Sequence, residues 1–513
     1  MKIKTLITGF LLLLLFQVNA QVKTHSLSVN LTVDPSQRQN FKPEGRVFLF
    51  FTQNPQLEPR KQVWPNPYSK THIFARNLST FKPDEVLKIN SDQAWTSSTE
   101  WTLDKIPEGT YYVQILWDQN TQESAINAVG NLYGEKIEVT LDKSQNIDFN
   151  LDQEIGPTAL TKHPLSAFVD FKSDTLSNWW NKPVYVKASI LLPYQYTKDK
   201  TYPIRYNVAG YGGRYNRINR LVNDGDFMQW WDSDQSPQII TVFLDGEGPF
   251  GDSYQMDSEN SGPYGYSLIH ELIPHIESMY RGTDDPSTRF VDGCSTGGWV
   301  SLGLQLFYPD VFNGVFSYSP DAIDFENYQL INIYKDQEAF VNEYGYPRPI
   351  MRDLNGEPLL SMKEFISYEN VLGSSNTYVN SGGQFSAHNA LYGPKGSNGL
   401  PKPMFDPLSG VIDSTVASHW EKYDFKKYVQ KHWETLGPKL QGKIYIWMGD
   451  MDDFYLNTGT RGFDEFLKST ENPKSDAIIE FSPMQGHCSQ YSNKEVLLKI
   501  KDRLDLIHKH QNP

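Results

Sequence analysis

Seven residues in the second half of the chain, Asp292–Gly298 ("DGCSTGG"), have the types and spacing of a serine nucleophile. Ser295 stands between Gly293 and Gly297 in the pattern G-x-S-x-G, after the strand-like "RFVDG" and before the helix-like "GGWVSLGLQLF". Glycines on both sides permit the sharp strand-to-helix turn that exposes such a hydroxyl at a helix N-terminus. The pattern predicts that Ser295 attacks an acyl carbon. The alternative is a glycine-rich turn that happens to contain a serine.

A serine hydroxyl needs a general base, and a carboxylate must orient that base. When G-x-S-x-G lies in a sheet of alternating strands and helices, the chain order is serine, acid, histidine. His487 lies in a loop directly after the last predicted strand, so we predict that it is the base. We expect His388 to line the substrate pocket, with simple packing as the alternative. The other histidines after Ser295 are His419, His432, His508 and His510.

The acid should follow the penultimate strand, where "IYIWMGDMDDFY" offers three carboxylates. The spacing G-x-x-D from Gly449 favours Asp452. Asp450 and Asp453 remain alternatives at this point, because loop carboxylates are often simply solvated.

The chain contains only two cysteines, and each is the neighbour of a proposed catalytic residue. Cys294 precedes Ser295, and Cys488 follows His487. If the serine and the histidine are within hydrogen-bond reach, the two cysteines are held within disulfide range. We therefore predict a Cys294–Cys488 disulfide that ties the nucleophile to the base. The alternative is two buried free thiols.

An oxyanion hole requires two backbone N–H donors. One should come from Thr296, the residue after the nucleophile. The other should come from the glycine-rich "GYGG" that follows the predicted strand "YPIRYNVAG". We predict Tyr211 or Gly212 for this second donor, although the same glycines could form a tight turn.

The elements around these residues predict a doubly wound α/β fold with a mostly parallel sheet. Strand-like runs alternate with helical patterns after about residue 165, which is typical of a sheet covered on both faces. In "SLIHELIPHIESMYR" the apolar residues have helical spacing, and Pro274 predicts a kink. A segment at about 321–440, rich in Gly, Pro, Trp and Tyr, interrupts the alternation and is interpreted as an inserted cap. The strand-like runs are 184–193, 202–210, 238–246, 290–295, 314–320, 443–450 and 477–483.

Residues 21–155 carry only β-type patterns and predict an all-β, Ig-like sandwich ahead of a catalytic domain at 156–513. "KIEVTL" and "NIDFNL", separated by "DKSQ", are interpreted as a hairpin with one buried side. The segment 152–164 is a candidate linker. Because the pattern changes there, we expect the N-terminal region to be dispensable for hydrolysis of a small soluble ester.

The first 20 residues have the charged start, apolar run and small-residue end of a secretory signal peptide, so we expect a secreted or periplasmic protein without a membrane span. The net charge is −14, from 47 basic and 61 acidic residues, which argues against nucleic acid as a partner. The sequence contains no zinc-type spacing, P-loop or dinucleotide fingerprint. We therefore expect neither a cofactor nor a metal, and the chemistry should come from side chains.

The catalytic region, roughly 165–510, resembles the α/β-hydrolase "putative esterase" group that includes esterase D and microbial feruloyl esterases. The order Cys-Ser, Asp, His-Cys is similar to the disulfide-linked triad of tannases and related feruloyl esterases, although further cysteines and an obvious calcium-binding lid are absent from the sequence. The stretch "GDSYQMDSENSGPYG" also looks esterase-like, and the resemblance implies that three of its residues face the cleft: Ser258, Glu259 and Asn260. The N-terminal region is not covered by the resemblance.

These observations favour a secreted serine esterase that cleaves an acyl ester, such as a feruloyl or acetyl decoration of a polysaccharide. A serine peptidase of the same fold is the alternative among enzymes, because the triad does not distinguish esters from amides. A carbohydrate-binding protein with an inactive hydrolase domain is the alternative from another class.

Overall fold

The computed structural model describes residues 22–511, so the predicted signal peptide at 1–20 lies outside the described residues. Residues 24–154 contain strands and two 3-10 turns but no α-helix. The longer strands are β1 (Leu27–Val33), β2 (Gly45–Thr52), β3 (Thr71–Leu78), β4 (Leu87–Ile89), β5 (Gly109–Asp118), β6 (Ile137–Leu141) and β7 (Gln145–Leu151). Two-residue strands lie at Thr24–His25, Thr96–Ser97, Ile106–Pro107, Leu132–Tyr133 and Gln153–Glu154.

These strands form two main sheets that enclose one apolar core. In the larger sheet β2 lies between β3 and β5, and in the smaller sheet β1 lies between β7 and β4. Strand β2 is buried along its whole length, because alternate side chains point to opposite faces and both faces are covered. Leu49 and Phe51 face the smaller sheet, whereas Phe48 and Phe50 face the later part of the chain.

The predicted hairpin between β6 and β7 is wrong. Strand β6 pairs antiparallel with β5, and β7 pairs parallel with β1 in the other sheet. The turn between them carries the chain across the core, so that Val139 and Leu141 face Phe149 and Leu151 from opposite sides. Both strands show the expected alternation, but alternation does not identify the partner strand.

The second half of the described chain is built on an eight-stranded sheet in the order β8-β9-β11-β10-β12-β13-β14-β15. Strand β9 is antiparallel to both neighbours, and the other pairs are parallel. The edge strand β8 is absent from the sequence-based prediction, because its residues are mostly half-buried or exposed. The strands are β8 (Ser166–Ser173), β9 (Val184–Leu191), β10 (Ile204–Val208), β11 (Ile240–Leu244), β12 (Arg289–Cys294), β13 (Val315–Tyr318), β14 (Ile444–Gly449) and β15 (Ile478–Ser482).

Helices connect these strands and continue to the end of the described chain. Before Pro274 the helix takes a π turn at Leu268–Leu272, because proline has no N–H to continue the hydrogen-bond ladder. The α-helices are α1 (Asp174–Trp180), α2 (Ile218–Val222), α3 (Gly225–Trp231), α4 (Tyr264–Ser267), α5 (Ile273–Tyr280), α6 (Thr296–Phe307), α7 (Met362–Leu372), α8 (Gln384–Tyr392), α9 (Ser414–Trp420), α10 (Phe425–Leu440), α11 (Asn457–Ser469) and α12 (Asn493–Gln511). Among the described residues, no helix has the length and apolar character needed to cross a bilayer.

The long connection between β13 and β14 contains α7 to α10 and a small hairpin, Pro349–Arg352 with Pro358–Ser361. Helix α7 packs against the outer face of the larger N-terminal sheet. Tyr368, Val371 and Leu372 share one buried cluster with Phe48 and Phe50. The N-terminal strands and this connection therefore bury a common apolar surface.

Candidate active site

Ser295 occupies a strained turn between β12 and α6. Its φ of 61° and ψ of −128° are rare for a residue with a side chain, and such strain is typical of a nucleophile held on a sharp turn. The turn also needs glycines on both sides. A Cβ on Gly297 would lie 2.3 Å from the carbonyl oxygen of Val208, and one on Gly293 would lie 2.5 Å from the backbone of Gly297.

His487 and Asp452 form a close pair beside this turn. The Nδ1 atom of His487 lies 2.7 Å from Oδ2 of Asp452, and the Asp452 side chain is completely buried. The other carboxylate oxygen accepts hydrogen bonds from the N–H groups of Phe454 and Leu456. The Asp452 carboxylate is therefore fixed by its own loop, and it can orient the imidazole with Nε2 left for chemistry.

The two alternative acids have other partners. Asp450 pairs with Arg461 and is partly exposed. The Oδ2 atom of Asp453 accepts a 3.3 Å hydrogen bond from the backbone N–H of His487. Asp453 therefore bonds to the main chain of His487 and not to its imidazole. Of the three carboxylates, Asp452 is the one that meets the imidazole.

Opposing influences set the pKa of His487. Burial acts to lower it, but the charge and hydrogen bond of Asp452, followed by the charges of Asp321 and Asp453, outweigh burial, so the pKa is raised above its ordinary value. A more basic imidazole accepts the proton of an attacking hydroxyl more readily.

The serine hydroxyl makes no hydrogen bond to this imidazole. The Oγ atom of Ser295 lies 3.5 Å from Oδ1 of Asp321, and Nε2 of His487 is buried without a hydrogen-bond partner among the described residues. Both side chains line one cavity of about 790 Å³. The nucleophile–base hydrogen bond is therefore not formed in this structure, and such contacts are often loose before substrate binds.

Asp321 was not identified from the sequence. Its Oδ2 atom accepts hydrogen bonds from Thr296 Oγ1 at 2.9 Å, from the Tyr254 hydroxyl at 2.9 Å and from Gln384 Nε2 at 3.1 Å. Burial would raise the pKa of Asp321, but His388, Thr296 and Tyr254 hold it below the ordinary value, so the carboxylate is charged. Its position directly after β13 matches that of Asp452 after β14, a signal that the sequence does contain.

The two cysteines are joined as the Cys294–Cys488 disulfide, with Cα atoms 6.0 Å apart. The bridge links the end of β12 to the loop that carries His487. A hydrogen bond from the Cys488 N–H to Ser319 Oγ, at 3.1 Å, holds the same loop against the end of β13. The segment that carries the imidazole is thus attached to two adjacent strands.

The glycine-rich loop after β10 approaches the nucleophile closely. A Cβ on Gly210 would lie 3.7 Å from Cβ of Ser295. Of the two donors predicted in this loop, the N–H of Gly212 is directed to the carboxylate of Asp252. The N–H of Tyr211 therefore remains the candidate in this loop for a second donor beside the N–H of Thr296, which begins α6.

Three of the four residues predicted to contact substrate lie outside the cavity that contains Ser295. Ser258 and Asn260 donate to the carbonyl oxygen of Ala390 at the end of α8, which makes their role structural. Glu259 is half exposed and lies 3.2 Å from His419. These three do not line the cavity that contains Ser295.

His388 is almost completely buried behind Asp321 rather than in the cavity wall. Its Nδ1 atom lies 2.6 Å from the Tyr328 hydroxyl, and its Nε2 atom lies 3.6 Å from Asp321 Oδ2. The predicted role for His388 in lining the pocket is therefore corrected to one of supporting the Asp321 carboxylate.

Comparison with known proteins assigns this region to one family. The family described as "Putative esterase" matches residues 183–495. An acetyl esterase from Caldicellulosiruptor saccharolyticus is 27% identical over 137 residues, which are 26% of this chain and 49% of that protein, so the match spans about half the length of the relative.

Solved structures of an esterase and of a hydrolase are also similar to this chain. A ferulic acid esterase shares 15% identity, with 65% of this chain and 98% of that chain covered and a TM-score of 0.40. An S-formylglutathione hydrolase from Agrobacterium tumefaciens shares 12% identity, with 68% of this chain and 96% of that chain covered and a TM-score of 0.38.

Proposed function

The chain belongs to the putative esterase family, and from this premise we propose that it is a secreted serine esterase that hydrolyses carboxylic acyl esters. One observation carries the proposal. Ser295 lies on a strained turn and is linked through the Cys294–Cys488 disulfide to a histidine that is already paired with a buried carboxylate. This combination supplies a nucleophile and a base in one cavity, with the orienting acid buried behind the base.

In the proposed reaction, the Ser295 hydroxyl rotates toward His487 and attacks the ester carbonyl, while Nε2 takes its proton. The N–H groups of Thr296 and Tyr211 stabilise the resulting oxyanion. His487 then returns the proton to the leaving alcohol, and an acyl-enzyme remains. A water molecule, deprotonated by the same imidazole, attacks the acyl-enzyme and releases the acid with the serine restored.

We further propose that the alcohol is part of a polysaccharide and that the acyl group is feruloyl or acetyl. The family match supports an ester substrate, and polar residues in the cavity lining support a polar alcohol. They include Thr158, Asn216, Asn219 and Arg220. Secretion is proposed from the signal-like N-terminus and from a disulfide, which forms in an oxidising compartment.

The test is a substrate panel with p-nitrophenyl acetate, methyl ferulate and an aminoacyl-arylamide. We expect both esters to be cleaved, and Ser295→Ala to lower kcat by about a millionfold while the protein stays folded. The matched control is Ser469→Ala, an exposed serine at the end of α11, which should leave all rates unchanged.

Two results would contradict the proposal. Cleavage of the arylamide alone, dependent on Ser295, would favour a peptidase. A folded wild-type protein that cleaves none of the three substrates but binds polysaccharide would favour an inactive carbohydrate-binding protein.

A further inference from the structure

A tryptophan from the N-terminal strands lines the same cavity as the proposed nucleophile and base. Trp64 lies in the connection between β2 and β3, and its side chain is a wall of the cavity that contains Ser295 and His487. The ring packs against the core of the eight-stranded half of the protein rather than the core of its own sheets. The connection at residues 53–70 thus extends from the N-terminal sheets to a cavity that is lined mainly by later residues of the chain.

Trp64 touches three different segments of the site. Its ring centroid lies 4.8 Å from that of Phe365 on α7, 5.9 Å from that of Tyr211 in the glycine-rich loop and 6.4 Å from that of Phe454. Phe454 in turn packs edge-on against the imidazole of His487, at 5.0 Å. The indole is therefore in contact with the loop that supplies the proposed oxyanion donor and with the side chain that borders the base.

The connection that carries Trp64 is held in place on both sides. The backbone N–H of Arg60 donates to Gln114 on β5, and its guanidinium stacks over the Tyr133 ring at 3.7 Å. The Tyr368 hydroxyl of α7 donates to the carbonyl oxygen of Gln62, two residues before Trp64. An indole anchored in this way presents a fixed surface, so little conformational entropy is lost when a ligand packs on it.

A buried arginine also fixes the position of the N-terminal sheets against α7. The Nη2 atom of Arg46 donates to the carbonyl oxygen of Val371, at 3.0 Å, and to Asn376 Oδ1, at 2.9 Å. Arg46 is 3% exposed, so these acceptors and Asn77 Oδ1 replace the water that would otherwise solvate the charged guanidinium. The interface between the N-terminal sheets and α7 therefore determines the position of Trp64 at the cavity.

The cavity has one side made of apolar side chains, and Trp64 is part of it. A flat aromatic group fits such a wall by stacking or edge contact with the rings. The apolar side is lined by Trp64, Ile350, Phe365, Phe385, Phe454 and Leu456.

We propose that Trp64 is a specificity-determining residue that contacts substrate, and that the N-terminal strands complete the active site by holding a planar aromatic acyl group against Phe365 and Phe454. This inference rests on the proposed esterase function, because it concerns which ester the same cavity accepts. It departs from the expectation that the N-terminal region is dispensable for hydrolysis of every small soluble ester, because an ester with an aromatic acyl group would depend on Trp64.

The experiment compares two methyl esters, methyl cinnamate and methyl acetate, which share a leaving alcohol and differ in the acyl group. Trp64→Ala should lower the ratio of kcat/KM for cinnamate to kcat/KM for acetate by about tenfold or more, since truncation of a buried aromatic contact commonly has an effect of this size. Trp64→Phe, which keeps a ring, should lie between. Tyr68→Ala is the matched control, because Tyr68 is in the same connection but 74% exposed, and its ratio should equal that of the wild type.

A second measurement does not depend on turnover. In the Ser295→Ala background, calorimetry with methyl cinnamate should give a Kd that rises about tenfold when Trp64→Ala is added. The proposal would be overturned if Trp64→Ala lowered kcat/KM for both esters by the same factor or left both values unchanged. It would also be overturned if the Ser295→Ala variant showed no detectable binding of methyl cinnamate. A wild-type protein that binds cinnamate through Trp64 but cleaves neither ester would instead contradict the esterase function and leave the binding site standing.

Discussion

The Oγ atom of Ser295 lies 3.5 Å from Oδ1 of Asp321, so the proposed nucleophile rests beside a buried carboxylate that is not its orienting acid. This carboxylate is charged, and it is among the groups that raise the pKa of His487. Asp321 is therefore a positioning residue that acts on the reaction through the base and through the resting place of the hydroxyl.

Asp321→Asn should shift the acidic limb of the pH profile of kcat/KM toward lower pH. The imidazole must be neutral to accept a proton, so activity appears as the pH rises through the pKa of His487. Removal of one negative charge makes the protonated form less favourable and lowers that pKa. Asp450→Asn, at a residue paired with Arg461, is the control and should leave the limb in place. A limb that moves to higher pH in Asp321→Asn would contradict this account.

Asp452→Asn should lower kcat by about ten-thousandfold, because the amide no longer selects the tautomer with a proton on Nδ1. Asp450→Asn should have little effect, and Asp453→Asn should lie between the two, since Asp453 holds only the backbone N–H of His487. Steady-state kinetics on one soluble ester decides the order. If Asp453→Asn is the most damaging of the three, the assignment of Asp452 as the acid is wrong.

Removal of one partner of the buried ion pair beneath the site should strongly destabilise the protein. Arg205 and Asp292 are both fully buried and share two hydrogen bonds of 2.7 Å. Asp292→Asn leaves the guanidinium without its counter-charge and should lower the free energy of unfolding by about 3–5 kcal/mol. Asp310→Asn, at an exposed residue paired with Lys439, should stay within about 1 kcal/mol of the wild type. Urea unfolding of the three proteins measures both values, and equal stabilities would show that the pair is not needed.

The residues with a local signal could be predicted from the sequence. Ser295 is marked by its flanking glycines, and His487 by its place after the last strand. The sequence favours Asp452 as the acid but does not exclude Asp450 and Asp453, because all three lie in one loop. Only the packing of that loop decides which carboxylate contacts the imidazole. Asp321 was missed because it begins the long insertion, where the alternation of strands and helices stops.

Residues whose role depends on distant contacts could not be predicted. Trp64 is 231 positions before Ser295 in the chain, in a connection without periodicity, and only the interface between the larger N-terminal sheet and α7 brings it to the cavity. The partner of β7 was missed for a similar reason. Alternation of apolar residues determines which face of a strand is buried but not which strand lies beside it.

Replacement of both bridge cysteines, Cys294→Ala with Cys488→Ala, should weaken catalysis as well as stability. The bridge holds the loop of His487 against the end of β12, and small errors of position at such a site can reduce the rate by about a hundredfold. The free energy of unfolding should fall by about 2–5 kcal/mol, as for other native bridges. A reductant should slow the wild-type enzyme and leave the double variant at its own lower rate, which separates loss of the bridge from other effects of the reductant. Two alkylatable thiols in the fully active, non-reduced protein would contradict the link between the bridge and the base.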